Sequence, residues 1–206
     1  FGKEILNIKK KKKEKRIFDK INDTKYIIIK SWGFGFFSDV SCVLGSLFLA
    51  ELTNRTPVII WGNNSLFNSN NKKDCFTDFF QPVSNISVED INLNKSIFPP
   101  KWDSKNIHKN NFNKWNDNYS RLGALYFLNR VEKIIVVDFH IAVIDLMDWI
   151  NENSKFYGFT LKQVLYFLIK KYLNPVEEIK DFCNQYIKKN LDNKPFSAIH
   201  LRGSDK

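Results

Sequence analysis

Cysteine and histidine are scarce in this sequence, and long apolar runs are missing. The 206 residues include three cysteines and three histidines. No two cysteines form a Cys-x-x-Cys pair and the histidines stand alone, so a zinc site is not expected and no disulfide framework is implied. No apolar run reaches the roughly 18–20 residues that cross a bilayer. The sequence therefore predicts neither a structural metal nor a membrane-spanning segment in this stretch of chain.

Acidic residues are fewer than basic ones, which raises the question of a nucleic-acid partner. The net charge is +10, and its densest part is the run Lys9–Lys13, extended by Lys15 and Arg16. A surface that stacks bases interleaves cations with exposed aromatic residues, and no such stripe is present. Residues 1–24 are therefore predicted to be a solvated basic lead-in. The rival hypothesis, a nucleic-acid-binding protein that depends on this run, predicts strongly salt-dependent affinity.

Apolar residues make up 43% of the chain, enough for a packed core. Short apolar runs alternate with segments of helical periodicity, which predicts an α/β fold with a mostly parallel sheet flanked by helices. The asparagine-rich stretch 62–118 is predicted to be irregular, apart from a helical turn or two at 76–81. Strands are predicted at 26–29, 58–61, 134–139 and 196–201, and helices at 40–52, 119–130, 141–149, 161–172 and 176–189.

A glycine turn, Gly33-Phe34-Gly35-Phe36, separates the first predicted strand from the first helix, and either Ser38 or Asp39 is expected to cap that helix. Such a turn lets the backbone approach a ligand, and a helix N-terminus favours anions. A dinucleotide fingerprint requires a third glycine where Ser38 stands, and a phosphate-binding P-loop requires a Gly-Lys-Ser/Thr ending that is missing. A ligand-contacting loop and a merely tight turn both stay open at this point.

The last predicted strand leads into a polar segment, His200-Leu201-Arg202-Gly203-Ser204-Asp205-Lys206. In open α/β sheets, ligands bind at the carboxyl ends of the strands. Arg202 can hold a phosphate pair bidentately, Lys206 adds a point charge, and Ser204 can donate a hydrogen bond. Asp205 can orient the arginine, and His200 shares a face with Arg202 by strand alternation. The competing interpretations are a core histidine at 200 and a surface ion pair at 202.

These residues resemble a known family. The pattern His200-x-Arg202-x-Ser204-Asp205-Lys206 is similar to the His-x-Arg-Arg-Thr-Asp-Lys segment of α-1,6-fucosyltransferases, which is related to segments of the nodulation and protein O-fucosyltransferases. The Gly33-Phe34-Gly35 turn, the following helix and the ending Asn54-Arg55-Thr56 resemble the start of the first domain of those enzymes. The resemblance covers about residues 26–62 and 176–206.

The resemblance implies a GT-B architecture with two Rossmann-like domains. Residues 25–193 would form the N-terminal, acceptor-side domain, and 194–206 would begin the donor-binding domain with its first strand. The implied activity is inverting, metal-independent transfer of a sugar from a GDP-sugar to a glycan or protein acceptor, with fucose as the leading candidate for the sugar. The rival hypothesis is a non-catalytic glycan- or nucleotide-binding α/β protein. The compartment stays open between the cytoplasm and the secretory lumen.

The resemblance also implies roles for individual residues. Arg202 is the expected catalytic residue, because its counterpart contacts the donor pyrophosphate and offsets charge on the departing GDP. The donor is expected to contact His200, Arg202, Ser204, Asp205 and Lys206, together with Gly33, Phe34, Gly35 and Phe36. Gly203 departs from the pattern, since the α-1,6 enzymes have a second arginine there. Because the later donor-domain motifs would follow Lys206, we expect this chain by itself to be inactive.

Overall fold

The computed structural model of the protein describes residues 24–69, 71–94, 96–110, 123–191, 194–197 and 199. Along them, strands and helices alternate as the sequence predicts, and two short 3₁₀ helices, Phe76–Asp78 and Val88–Asp90, lie in the stretch predicted to be irregular. The strands are β1 (Tyr26–Lys30), β2 (Thr56–Ile60), β3 (Ile97–Phe98) and β4 (Ile134–Val137). The helices are α1 (Phe36–Leu52), α2 (Gly123–Leu128), α3 (Ile144–Met147), α4 (Leu161–Tyr172) and α5 (Glu177–Leu191).

The strands form one parallel sheet in the order β2-β1-β4-β3. The apolar runs of β1 and β4 are buried throughout, as is usual for strands covered on both faces. Within the described sheet β2 is an edge strand, which suits its Pro57, because proline lacks the N–H that a central strand donates. The α/β class and the parallel sheet are confirmed, and the arrangement is consistent with a Rossmann-like domain.

Helices cover one face of the sheet, which we call the helical face. Ile27, Ile29 and Val137 point into a large apolar cluster built around α1, with contributions from α2, α3 and α4. Helix α1 lies very close to the backbone after β4, since a Cβ added at Gly45 would come within 2.0 Å of the Ile141 carbonyl oxygen. The helix ends at Leu52, and Asn54 turns the chain with a φ of 50°.

An irregular segment covers the opposite face, which we call the loop face. Alternate strand residues, including Ile28, Ile60 and Val136, form a second apolar cluster with side chains from residues 86–107. Trp102 is the largest buried side chain that this segment contributes. The asparagine-rich stretch thus contributes buried side chains to the domain's core and is not merely a surface insertion.

Arg55 fastens the amino end of the sheet. One guanidinium nitrogen, Nη1, donates to the Glu132 carbonyl at 2.8 Å, and Nη2 donates to the Arg130 carbonyl at 2.7 Å. A weaker bond of 3.4 Å joins Nη1 to the Tyr26 carbonyl. The arginine of the Asn-Arg-Thr ending therefore ties β1 to the turn before β4, at the end of the sheet opposite its carboxyl edge.

Three sequence-based predictions need correction. β3, which was not predicted, supplies the fourth strand of the sheet, and of the separate strand predicted at 196–201 the described residues Phe196, Ser197 and Ile199 lie outside any strand. The helix predicted over 141–149 covers only 144–147, because Ala142 and Asp145 form a turn there instead. Neither Ser38 nor Asp39 caps α1, whose N-cap residue is Gly35. The first 23 residues, Ala198 and the segment from His200 to Lys206 lie outside the described residues.

Candidate functional site

The glycine turn lies at the carboxyl end of the central strand β1, and a buried carboxylate holds it. Gly33 has a φ of 89°, a conformation that glycine adopts without strain. Its N–H donates to Asp39 Oδ1 at 2.8 Å, and the N–H of Phe34 donates to the same oxygen at 3.2 Å. The side-chain amide of Asn64 donates to the Ser31 carbonyl at 2.9 Å and braces the chain just before the turn. The turn is therefore fixed from both sides.

This arrangement limits how the turn can contact a ligand. The N–H groups of Gly33 and Phe34 are occupied by Asp39, so they do not supply the free donors with which glycine loops cradle phosphates. Gly35 differs, because it is exposed and a Cβ added there would meet nothing within 4 Å. A ligand at this turn would approach Gly35 and the partly exposed rings of Phe34 and Phe36.

Phe36 belongs to an aromatic cluster behind the turn. Its ring centroid lies 5.8 Å from that of Trp61, 5.2 Å from Phe67 and 5.0 Å from Phe79. These contacts are edge-to-face, the favourable arrangement for aromatic pairs. The first residue of α1 is thereby packed into a rigid wall, so the turn and the helix start hold one geometry.

Two charged side chains lie buried at the carboxyl ends of the two central strands. Lys30 ends β1 and is 4% exposed, and Asp138 follows β4 and is 1% exposed. The Lys30 ammonium donates to the carbonyls of Ile107 and Lys109 and lies 4.3 Å from the Trp102 ring centre. Trp102 Nε1 donates to Asp138 at 3.2 Å, and Lys101 forms an ion pair with the same carboxylate. These contacts fasten the irregular segment over the carboxyl edge.

Burial shifts the pKa of this lysine. Desolvation lowers the pKa of Lys30 from 10.5 to about 8, while the negative charge of Asp138 acts in the opposite direction. The charged form is stabilised by its two carbonyl acceptors and by the indole ring. Lys30 is thus a cation that the fold holds at the carboxyl edge of the sheet at an energetic cost.

A cluster of three charged or titratable side chains, Lys73, Glu89 and His108, lies where the irregular segment passes β2. Lys73 Nζ is 3.5 Å from Glu89 Oε1, and the same oxygen is 3.9 Å from His108 Nε2. Burial lowers the pKa of His108, an effect that Glu89 partly opposes. In the described part of the chain, no group of three or more His, Cys, Asp or Glu side chains could hold a metal ion. No helix among the described residues is long and apolar enough to cross a membrane.

No protein-family model matches the chain. No curated protein and no solved structure matches it either. A Rossmann-like sheet supports many unrelated functions, so the function of this chain has to be argued from its side chains.

The predicted site is only partly among the described residues. Gly33, Phe34, Gly35 and Phe36 lie together at the carboxyl end of β1, as the sequence predicts. The predicted contacts that lie outside the described residues are His200, Arg202, Ser204, Asp205 and Lys206. No contact between the two motifs is therefore described.

Sequence reasoning missed the buried polar residues at this edge. Lys30 and Asp138 each follow an apolar run directly in the sequence, and that position was itself a usable signal, because parallel strands end at one edge of the sheet. No comparable signal existed for Trp102 or His108. They reach the site from a segment without periodicity.

Proposed function

We propose that the chain is part of a glycosyltransferase. Its donor is a GDP-sugar, with GDP-fucose as the leading candidate, and the enzyme transfers the sugar to a glycan or protein acceptor with inversion and without a metal. The observation that carries the proposal is the rigid glycine turn at the carboxyl end of β1, open on the side of Gly35. This is the place in a parallel sheet where substrates bind. The resemblance of the segment His200–Lys206 to fucosyltransferases supplies the choice of donor.

In this proposal Arg202 stabilises the departing diphosphate. A guanidinium is always charged and matches the geometry of phosphate oxygens, so a fixed arginine provides the electrostatic stabilisation that a metal provides elsewhere. Lys206 adds positive charge, while His200, Ser204 and Asp205 position the donor. Gly35 and the aromatic wall behind it would border the cleft on the donor side.

The direct test is donor binding measured by isothermal titration calorimetry. We expect GDP and GDP-fucose to bind more tightly than UDP or UDP-sugars. Arg202→Ala is expected to weaken GDP binding roughly 10- to 100-fold, because charge-assisted hydrogen bonds to the diphosphate are lost. Arg202→Lys keeps the charge without the bidentate fork and is expected to recover only part of the affinity.

A matched control separates this site from general charge. Arg16→Ala removes one positive charge from the basic lead-in and is expected to leave GDP affinity unchanged. A preference for UDP, or equal losses in the Arg16 and Arg202 variants, would overturn the donor assignment.

A second candidate is a non-catalytic nucleotide- or glycan-binding α/β protein. Gly203, which stands where α-1,6-fucosyltransferases have a second arginine, favours it. Such a protein would bind GDP-sugar but transfer nothing to any acceptor. A transfer assay on the longest available form of the chain, with product detected by mass spectrometry, distinguishes the two.

A further inference from the structure

Two concavities meet beside the edge strand β2, on the loop face of the sheet. One is a cavity of about 220 Å³ and the other is a more open depression of about 350 Å³. They share Lys73, Val88, Glu89 and His108, so a single group of side chains stands between them. We call these four residues the shared rim. A ligand on this rim would meet both concavities.

The two concavities differ in chemistry. The cavity is floored by apolar side chains, among them Val58, Ile60 and Phe76. The depression instead presents amides and a hydroxyl, from Asn92, Asn94 and Ser104. A ligand that fits both has an apolar surface on one side and several hydrogen-bonding groups on the other.

The shared rim itself offers donors and acceptors at close range. Glu89 lies between Lys73 and His108, 3.5 Å from the first and 3.9 Å from the second. The Nδ1 atom of His108 is buried and has no hydrogen-bond partner among the described residues. Nδ1 is closed off from a ligand, whereas Nε2 of the partly exposed ring lies too far from the carboxylate for a direct hydrogen bond and is free to bond a ligand hydroxyl.

The charges of the shared rim argue against ionic ligands. A phosphate would meet the carboxylate of Glu89, and Asp74 is a second acid in the cavity lining. A cationic ligand would meet the ammonium of Lys73. A neutral ligand avoids both repulsions and can use the carboxylate as acceptor and the ammonium as donor.

We infer that the shared rim and its two concavities form a carbohydrate-binding subsite for one sugar residue. A pyranose has an apolar C–H face, which suits the floor of the cavity, and hydroxyls, which suit Glu89, His108 Nε2 and the asparagine amides. The choice of a sugar over other neutral polyols rests on the proposed function, in which this part of the chain receives a glycan acceptor.

The test is saturation-transfer NMR on the 206-residue chain with a panel of monosaccharides and short glycans. Glycerol serves as a small polyol without a ring. We expect a saturable signal for at least one sugar and none for glycerol. Glu89→Gln and His108→Gln are each expected to weaken that binding on the order of tenfold, the scale of one hydrogen bond to a charged or buried partner.

Glu152→Gln is the matched control, since Glu152 is exposed and lies away from both concavities. It removes the same charge as Glu89→Gln and should bind sugar like the parent. Circular dichroism establishes that each variant is folded. Saturable binding that both rim variants weaken and the control keeps supports the subsite. No saturable signal for any sugar, equal binding of glycerol, or equal binding in all variants overturns it.

The outcome is separable from that of the proposed function. If GDP binds and depends on Arg202 while no sugar depends on Glu89, the subsite is wrong and the donor assignment stands. If a sugar depends on Glu89 and no GDP-sugar binds, the subsite stands and the transferase proposal fails.

Discussion

The two faces of the sheet are buried by different kinds of structure. On the helical face, five apolar strand residues meet four helices in one large cluster, and α1 lies against backbone at Gly45. On the loop face, a segment with two short 3₁₀ helices provides the cover, and its cluster is smaller. The loop face also carries Lys30 and Asp138, buried at the carboxyl edge.

This difference shows where the domain concentrates polar chemistry. Helices satisfy their own backbone hydrogen bonds, so the helical face can be closed with apolar side chains. An irregular segment leaves carbonyls to be satisfied, and Lys30 does this for Ile107 and Lys109. Polar groups are therefore a structural requirement on the loop face, and the candidate sugar subsite lies within the same segment. The predictions below test whether the two faces are stabilised as differently as they are built.

The largest effect is expected from Trp102→Ala on the loop face. The indole is 2% exposed, contacts Lys30 and donates to Asp138. Its loss opens a cavity and uncovers both buried charges, so we expect a loss of about 4 kcal/mol in the free energy of unfolding. Urea denaturation measures it. Trp102→Phe, which keeps an aromatic ring but loses the N–H donor, should lose clearly less. A loss below about 1 kcal/mol in Trp102→Ala would mean that the loop face is not a second core.

Gly45→Ala is the corresponding test of the helical face. The added methyl would meet the Ile141 carbonyl oxygen at 2.0 Å and its carbon at 2.6 Å, and backbone cannot rotate away as a side chain can. We expect a loss of about 3 kcal/mol, the upper range for overpacking, read as a lower midpoint in thermal and urea unfolding. Gly123→Ala is the control, because its methyl would be 3.6 Å from the Phe139 ring, an ordinary contact. Equal stability of both variants would show that α1 can shift away from β4.

The sequence predicted the helical face well and the loop face poorly, for a physical reason. Apolar spacing over 40–52 and 161–172 marks helices that bury one side, and the runs at 26–29 and 134–139 mark buried strands, of which the second ends two residues earlier, at 137. The loop face has no such period. Val88 lies in a short 3₁₀ helix, and Ile91 and Trp102 lie in irregular chain, where the spacing of apolar residues does not show which side chains point inward.

The site follows the same division. The glycine turn was predicted, because a tight turn between a strand and a helix often needs a backbone conformation that only glycine adopts without strain. Gly33 has such a conformation, with a φ of 89°. The role of Asp39 was predicted wrongly, since a first-turn acid usually caps its own helix and here it holds the preceding turn instead. Within the strand predicted at 196–201, the described residues Phe196, Ser197 and Ile199 form no strand, since an apolar run alone does not ensure a neighbouring strand with which to pair.

The smallest effect concerns the pH dependence that Lys30 gives to the loop face. Its folded-state pKa is about 8 and its unfolded value is 10.5. Between these values the unfolded chain holds the proton and the folded chain does not, so raising the pH favours folding. The burial penalty is fully present below pH 8 and disappears toward pH 10.5, which amounts to a gain of about 2 kcal/mol between pH 8 and 10. Urea midpoints measured across this range, relative to Lys30→Met, isolate the contribution.

Lys30→Met removes the titrating group while keeping an unbranched side chain, so the variant should lack this rise whatever its stability at neutral pH. Lys105→Met, at an exposed position in the same irregular segment, should keep the rise of the parent chain. If the parent and Lys30→Met change in parallel with pH, the ammonium is better solvated than its burial indicates. The loop face would then hold its charges no more tightly than an ordinary surface does, and the contrast with the helical face would be one of architecture alone.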